Sequence, residues 1–244
     1  MRTPRVAISS IILAAALTLA TTTTALAAGR SADGGVIVIG HVPGADGFGA
    51  GTIVAVNGNT IRVLTANHVA TFGRSLSVRF DDGTSVPAHV IAQFPKRDIA
   101  VIEAAVDPAV ASTLHAAAVA APHSSEPVHI WGSGVNGPAE ELAAVSTVGA
   151  AMPDGPANGR FALGCDTCHQ GDSGGGVFNA RGELVGVFVG YFIMETGSHV
   201  SVAELAPAEA LSIARSAAPA TIPSTTVATA TDSMTLAAVV KPNK

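Results

Sequence analysis

Between Gly35 and about Val202 the chain runs in short Val-, Ile- and Leu-rich stretches separated by turn-forming residues, a pattern that predicts strands rather than helices. VAVNGNTIRV, residues 54–63, sets Asn57-Gly58 between two apolar segments. A two-residue hairpin turn of the primed types needs the positive φ that Asn and Gly tolerate. RFDDGTSV repeats the device at Asp82-Gly83, and NARGELVGV at Arg181-Gly182. The apolar runs number about six before an Ala-rich stretch near residues 104–121 and about six after it. The pattern therefore predicts an all-β protein of two antiparallel six-stranded halves, about 35–104 and 122–205, linked through 105–121. A helix is expected over 206–216, where Pro207 suits a first turn and Leu205 and Leu211 offer one apolar face.

The two ends read differently from this middle. Residues 1–27 have the make-up of a secretory signal: Arg2 and Arg5, an apolar stretch from Val6 to Ala20, then Ala25-Leu26-Ala27 as a small-x-small cleavage site. The apolar stretch falls short of the roughly 20 residues that span a bilayer. A mature protein beginning near Ala28, with no membrane anchor and located in the periplasm or secreted, is expected. From Ala217 to Lys244 the chain is rich in Ala, Thr, Ser and Pro without aromatics, which reads as a flexible tail.

Composition narrows the class. With 48% hydrophobic and 13% charged residues among 244, the chain is neither a disordered polymer nor a collagen or coiled coil. A net charge of -5 with only 13 Lys+Arg gives no basic surface for nucleic acid.

Three local sequences carry chemistry: TANHVA with His68, KRDIAVIEA with Asp98, and QGDSGGGVF with Ser173. Acyl transfer to a serine hydroxyl requires a base to take its proton, a carboxylate to hold the imidazole tautomer, and donors for the oxyanion. Taken singly, His68 also reads as a packed histidine, Asp98 as a solvated charge opening a strand, and GDSGGG as a glycine-rich turn. Taken together and in this order they supply a full set, with the backbone N–H groups of Gly171 and Ser173 as the oxyanion donors.

These segments resemble the chymotrypsin/trypsin-like serine protease superfamily in its compact bacterial form. TANHV is similar to that family's Thr-Ala-Ala-His segment, DIAVIE to its Asp-Ile-Ala-Leu strand, and GDSGGGV to its Gly-Asp-Ser-Gly-Gly-Pro-Val. FGAGTIV, residues 48–54, resembles the strand before the histidine, and the short spacings look most like the high-temperature-requirement (Do) branch. A PDZ module is not expected, because too little chain follows Ser173. The resemblance implies two six-stranded antiparallel β-barrels with the site between them and a C-terminal helix. It also implies an exported endopeptidase with a polypeptide substrate and no cofactor, and a catalytic set of His68, Asp98 and Ser173. Substrate backbone would pair as an added strand near Val189, Gly190 and Tyr191.

The chain departs from the family at several points. No Ile-Val-Gly-Gly start exists to supply an amine for Asp172, so Arg160 and Arg181 are its candidate partners. Gly176 stands where the family has proline, and Val189 where relatives often carry a serine that supports the catalytic Asp. An inactive, trypsin-like binding module is therefore an alternative. The base of the specificity pocket falls on Thr167 or, with one inserted residue, on Asp166, implying uncharged or cationic substrate side chains respectively. Cys165 and Cys168 are the only cysteines, and with His169 they spell CxxCH, the attachment signature of c-type haem. A local disulfide or thiol pair bracing the pocket wall is the plainer reading in an exported protein, and a zinc site lacks a fourth ligand. His199 follows the expected substrate strand. His41, His89, His115, His123 and His129 have no metal-binding spacing.

Overall fold

The computed structural model describes residues 34–123, 125–132, 140–147, 159–165, 167–193 and 199–216. The expected signal segment and tail lie outside the described residues, as does Asp166. Six strands come first: β1 (Gly35–Val42), β2 (Ala45–Asn57), β3 (Thr60–Ala66), β4 (Ser75–Arg79), β5 (Ser85–Phe94) and β6 (Ile99–Ala105). They pair antiparallel in the order β1-β2-β3-β6-β5-β4, and β4 pairs back onto β1 to close a barrel.

The mostly apolar make-up of β1, β3 and β6 follows from burial on both faces. Val36, Val38, Val63 and Ile102 point into the barrel, while their neighbours Ile37, Ile39, Leu64 and Val101 pack outside it against the second lobe. β5 has solvent on one side and alternates between exposed and half-buried residues.

Glycines set the hairpins, with the frame of the turn differing from the expectation. Asn57 pairs with Thr60, so the two-residue turn is Gly58-Asn59, with Gly58 at φ +62°. Glycine in the first central position is the requirement of a type II′ turn. At Asp82-Gly83 the loop has three residues. Phe80 and Thr84 flank it, the Phe80 N–H donates to Thr84 O at 2.9 Å, and Gly83 takes φ +83°. The Arg181-Gly182 hairpin repeats this form, with the Asn179 N–H donating to Glu183 O at 3.0 Å and Gly182 at φ +72°. The Thr84 hydroxyl and N–H lower the pKa of Asp82. The Asn179 amide and the Arg181 guanidinium lower that of Glu183, which in turn raises that of Arg181.

After β6, Asp107 caps the short helix Pro108–Ala111 by accepting from the Ala109 N–H at 2.7 Å. The second lobe contains β7 (Pro127–Gly132), β8 (Glu140–Thr147), β9 (Arg160–Leu163), β10 (Gly176–Asn179), β11 (Leu184–Ile193) and β12 (His199–Glu204). The described residues form one six-stranded sheet, β8-β7-β10-β11-β12-β9, rather than a closed ring. Ile130, Phe161, Leu163, Val177, Val185 and Phe188 form its core.

A further apolar cluster joins the lobes, built from Ile37, Leu64, Trp131, Phe178, Leu184 and Ala210. Gly35 is required there, because a Cβ at that position would come within 2.3 Å of the Trp131 ring. The C-terminal helix spans Ala208–Arg215, with Pro207 at its N-cap rather than in its first turn. Its buried face is Ala210 and Ala214, with Leu211 half-buried, and Leu205 precedes the helix. Small side chains let the helix sit close to the barrel. Arg62 of β3 is 2% exposed; it donates Nε to Glu103 Oε2 at 2.8 Å and Nη1 to Ile213 O at 2.7 Å and Ser216 O at 2.6 Å. It thereby satisfies carbonyls that the helix end leaves open. Among the described residues no helix is long and apolar enough to cross a membrane.

Candidate active site

β3 and β6 pair as far as Ala66 and Ile99, so the residues just beyond the ladder, Asn67 and Asp98, are neighbours. The chain turns there into a one-turn helix, Asn67–Ala70, which carries His68. Asp98 holds this turn at three points. Its carbonyl accepts from the Asn67 N–H at 2.9 Å, its Oδ1 from the His68 N–H at 2.9 Å, and its Oδ2 lies 2.6 Å from His68 Nδ1. Asp98 has φ 51° and ψ 40°, the left-handed region that Asp enters more readily than most residues, directly after the 3₁₀ turn Pro95–Arg97. An ionised carboxylate only accepts, so Nδ1 carries the imidazole proton and Nε2 is left as the acceptor.

Ser173 lies between two glycines with positive φ, Gly171 at +98° and Gly174 at +91°. A Cβ on Gly174 would come within 2.1 Å of Ala50 O, so glycine is required by close approach as well as by conformation. The loop is fastened to the first barrel: the Ala50 N–H donates to Ser173 O at 2.8 Å, and the Thr65 hydroxyl donates to Ala50 O at 2.7 Å. Gly176 is also explained by space, since a Cβ there would meet Thr52 Oγ1 and the Phe178 ring at 2.5 Å. His68, Gly171 and Ser173 line a single cleft of about 280 Å³, together with Phe48, Phe72 and Gln170. The arrangement places an oriented imidazole, a hydroxyl and a glycine-flanked backbone turn around one space open to solvent.

Asp172 is fully buried, and its partner is neither of the expected arginines. His169 serves instead. Its backbone N–H donates to Asp172 Oδ2 at 2.8 Å, and its Nδ1 lies 2.8 Å from the same oxygen, off the line of a hydrogen bond. Arg181 pairs with Glu183, and Arg160 with Glu204. Glu204 is itself fully buried and also accepts from Arg97 Nε at 2.8 Å, while Arg97 Nη2 donates to Leu205 O at 2.9 Å. The residue preceding Asp98 is thus tied to β12 of the other lobe. His169 was legible in the sequence only as the histidine of CxxCH. The Arg97–Glu204 contact joins positions with no local signal.

The remaining expected site residues are distributed around this centre. Val189, Gly190 and Tyr191 share a smaller pocket of about 190 Å³ with Asp98 and Arg160, and Val189 brings no hydroxyl to the Asp98 carboxylate. Thr167 is exposed, 3.7 Å from Cys165 Sγ, and is not part of the lining of the cleft that holds Ser173. Cys165 and Cys168 form a disulfide, so neither sulfur is a free thiol. His41 bridges Asp46 and Ser77, and His129 stacks on Phe178. Among the described residues no three His, Cys, Asp or Glu side chains gather to hold a metal.

A family model described as the trypsin-like peptidase domain matches residues 49–187. Among solved structures, the serine endoprotease from Yersinia pestis is similar at 23% identity with a TM-score of 0.59, covering 73% of this chain and 61% of that one. An HtrA-type protease AlgW with tripeptide is similar at 19% identity and the same TM-score of 0.59, covering 73% of this chain and 58% of that one. The chain spans about three fifths of the length of these two structures, and the likeness concerns the fold. No curated protein matches the chain.

Proposed function

The chain belongs to the trypsin-like peptidase domain family, and on that premise we propose that it is an exported serine endopeptidase working through an acyl-enzyme. Ser173 Oγ attacks the scissile carbonyl as its proton passes to His68 Nε2, and the carbonyl π pair moves onto oxygen, facing the Gly171 and Ser173 N–H groups. Collapse breaks the C–N bond, and His68 returns the proton to the leaving amine. Water then repeats the sequence on the ester, releasing the acid and restoring the serine. Asp98 holds the tautomer and stabilises the imidazolium without taking the proton. No cofactor enters these steps.

The observation that carries this reading is the two-point grip of Asp98 on His68, at 2.6 and 2.9 Å, with His68 and Ser173 lining one cleft. The likeness in fold supports reading the second lobe as the second barrel of a chymotrypsin-like pair. The substrate is a polypeptide whose acyl half lies along Val189–Tyr191. Of the two residues aligned with the base of the specificity pocket, Thr167 is exposed and outside the cleft lining, and the preference for the side chain before the cut is read from a peptide library. The composition of residues 1–27 and the Cys165–Cys168 disulfide support export to the periplasm or beyond.

Hydrolysis of a mixed peptide library tests the proposal. Turnover should vanish in Ser173→Ala and fall by about 10⁴ in kcat in Asp98→Asn, the loss expected when the imidazole takes the wrong tautomer. Turnover that survives Ser173→Ala overturns the proposal. A folded wild-type protein without turnover would instead fit a trypsin-like binding module, the reading that Val189 beside Asp98 favours.

A further inference from the structure

Cys165 and Cys168 close a disulfide immediately upstream of the loop that carries Ser173. Its two ends lie in different surroundings. Cys165 is buried in the core of the second lobe, and its carbonyl accepts from the Ser201 hydroxyl of β12 at 3.1 Å. Cys168 is half-buried, between exposed Thr167 and half-buried His169. From Cys168 the chain passes directly into the contacts that shape the loop. The Asp172 N–H donates to His169 O at 3.3 Å, the His169 N–H to Asp172 Oδ2 at 2.8 Å, and the Gly175 N–H to Asp172 O at 3.0 Å. The disulfide therefore ties the turn that presents Gly171 and Ser173 to a fixed point on β12.

Such a disulfide is open to exchange. Closing so short a loop adds little chain entropy to protect the bond, and a partly exposed sulfur admits an attacking thiolate. The attack falls on Cys168, because Cys165 is only 6% exposed. One thiolate of a dithiol bonds to Cys168 Sγ, and the Sγ–Sγ bond breaks with its electron pair on Cys165, which takes a proton. The second thiolate of the dithiol then attacks its own partner sulfur in the mixed disulfide, and Cys168 leaves and takes the second proton. The protein gains two electrons and two protons, and the dithiol becomes a disulfide. A monothiol lacks the second step, so Cys165, three residues away, reverses its attack.

We propose that Cys165–Cys168 is a redox site coupled to the active-site loop: the disulfide form is the working protease, and reduction by a dithiol lowers its turnover by freeing the turn from Cys168 to Ser173. The inference rests on the endopeptidase reading and adds regulation to it. With the bond open, His169 and Asp172 still meet, but the turn they form is no longer fixed to β12. A small displacement of the oxyanion donors and the hydroxyl relative to His68 costs about tenfold in rate.

The test follows peptide hydrolysis by the wild-type protein with the disulfide closed, after dithiothreitol, and after reoxidation. An aliquot of each is quenched in acid, freed of reductant, unfolded and alkylated, and the modified residues are located by mass spectrometry. Dithiothreitol should yield thiols on Cys165 and Cys168, lower kcat by about tenfold with little change in KM, and accelerate hydrogen exchange over residues 168–175 ahead of the barrel strands. Reoxidation should restore the rate. Cys165→Ser combined with Cys168→Ser should show the lower rate and no response to dithiothreitol, and the wild-type arms need no variant to fold. Equal rates for the closed and open forms, a bond that dithiothreitol leaves closed in the folded protein, or a loss that accompanies unfolding of the whole molecule overturns the redox site while leaving the endopeptidase reading standing. A closed form without turnover overturns both.

Discussion

Asp172 is the side chain in the loop carrying Ser173 that most needs a partner, because a carboxylate without solvent contact requires a compensating charge or donors. The His169 backbone N–H supplies a donor from three residues away, and the imidazole Nδ1 lies 2.8 Å from the same carboxylate oxygen. His169→Ala keeps the backbone donor and removes the imidazole at 2.8 Å from the carboxylate, so it should loosen the loop that carries Gly171 and Ser173, lowering kcat more than it changes KM and costing about 1 kcal/mol of stability. Adding Asp172→Asn should recover much of the loss, since an amide needs no counter-charge. A double variant no better than His169→Ala, by steady-state kinetics and denaturant titration, would show that charge compensation is not the role of His169. At this scale His68, Asp98 and Ser173 stand out because each lies in a short segment of distinctive make-up; the structure sets Asp98 against His68, and His68 and Ser173 line one cleft. The contact of Asp172 was not legible in the sequence, because it comes from a backbone N–H and an imidazole of His169, a residue whose local sequence, CxxCH, carries a different reading.

The hairpins were legible for a related reason, since each depends on one glycine with positive φ. The turn frame at Gly58-Asn59 shifted by one residue because type II′ puts glycine first, a distinction that apolar runs on either side do not make. The C-terminal helix, expected over 206–216, spans Ala208–Arg215, and its buried face was expected from Leu205 and Leu211 rather than from Ala210 and Ala214. Only the close approach to the barrel explains small residues there. Arg62 is the anchor of that contact, tying Glu103 to the helix-end carbonyls. Arg62→Ala should destabilise the protein by about 3–5 kcal/mol, the range for breaking a buried pair, and hydrogen exchange should accelerate first in Ala208–Arg215. Uniform acceleration without a lead in that helix would contradict this role.

Across the whole molecule, the site depends on two lobes meeting in one register. The Trp131 contact on Gly35, the Ala50–Ser173 backbone bond and the Arg97–Glu204–Arg160 cluster hold that meeting. None of these pairs is close in sequence, so none had a local signature. Glu204→Ala would leave two arginines without their shared carboxylate, at a cost of about 3–5 kcal/mol. It would also free the segment carrying Asp98, so kcat should fall well beyond what the stability loss explains; a variant equally unstable but with normal kcat would contradict the link. The central claim is that these contacts assemble Asp98, His68 and Ser173 into a working nucleophile. The most direct measurement is the intact mass and adduct site after reaction of the purified protein with an organophosphonate. A single adduct on Ser173, formed far more slowly in His68→Ala, is the predicted result. A folded protein that gains no adduct, or gains it elsewhere, would contradict the claim.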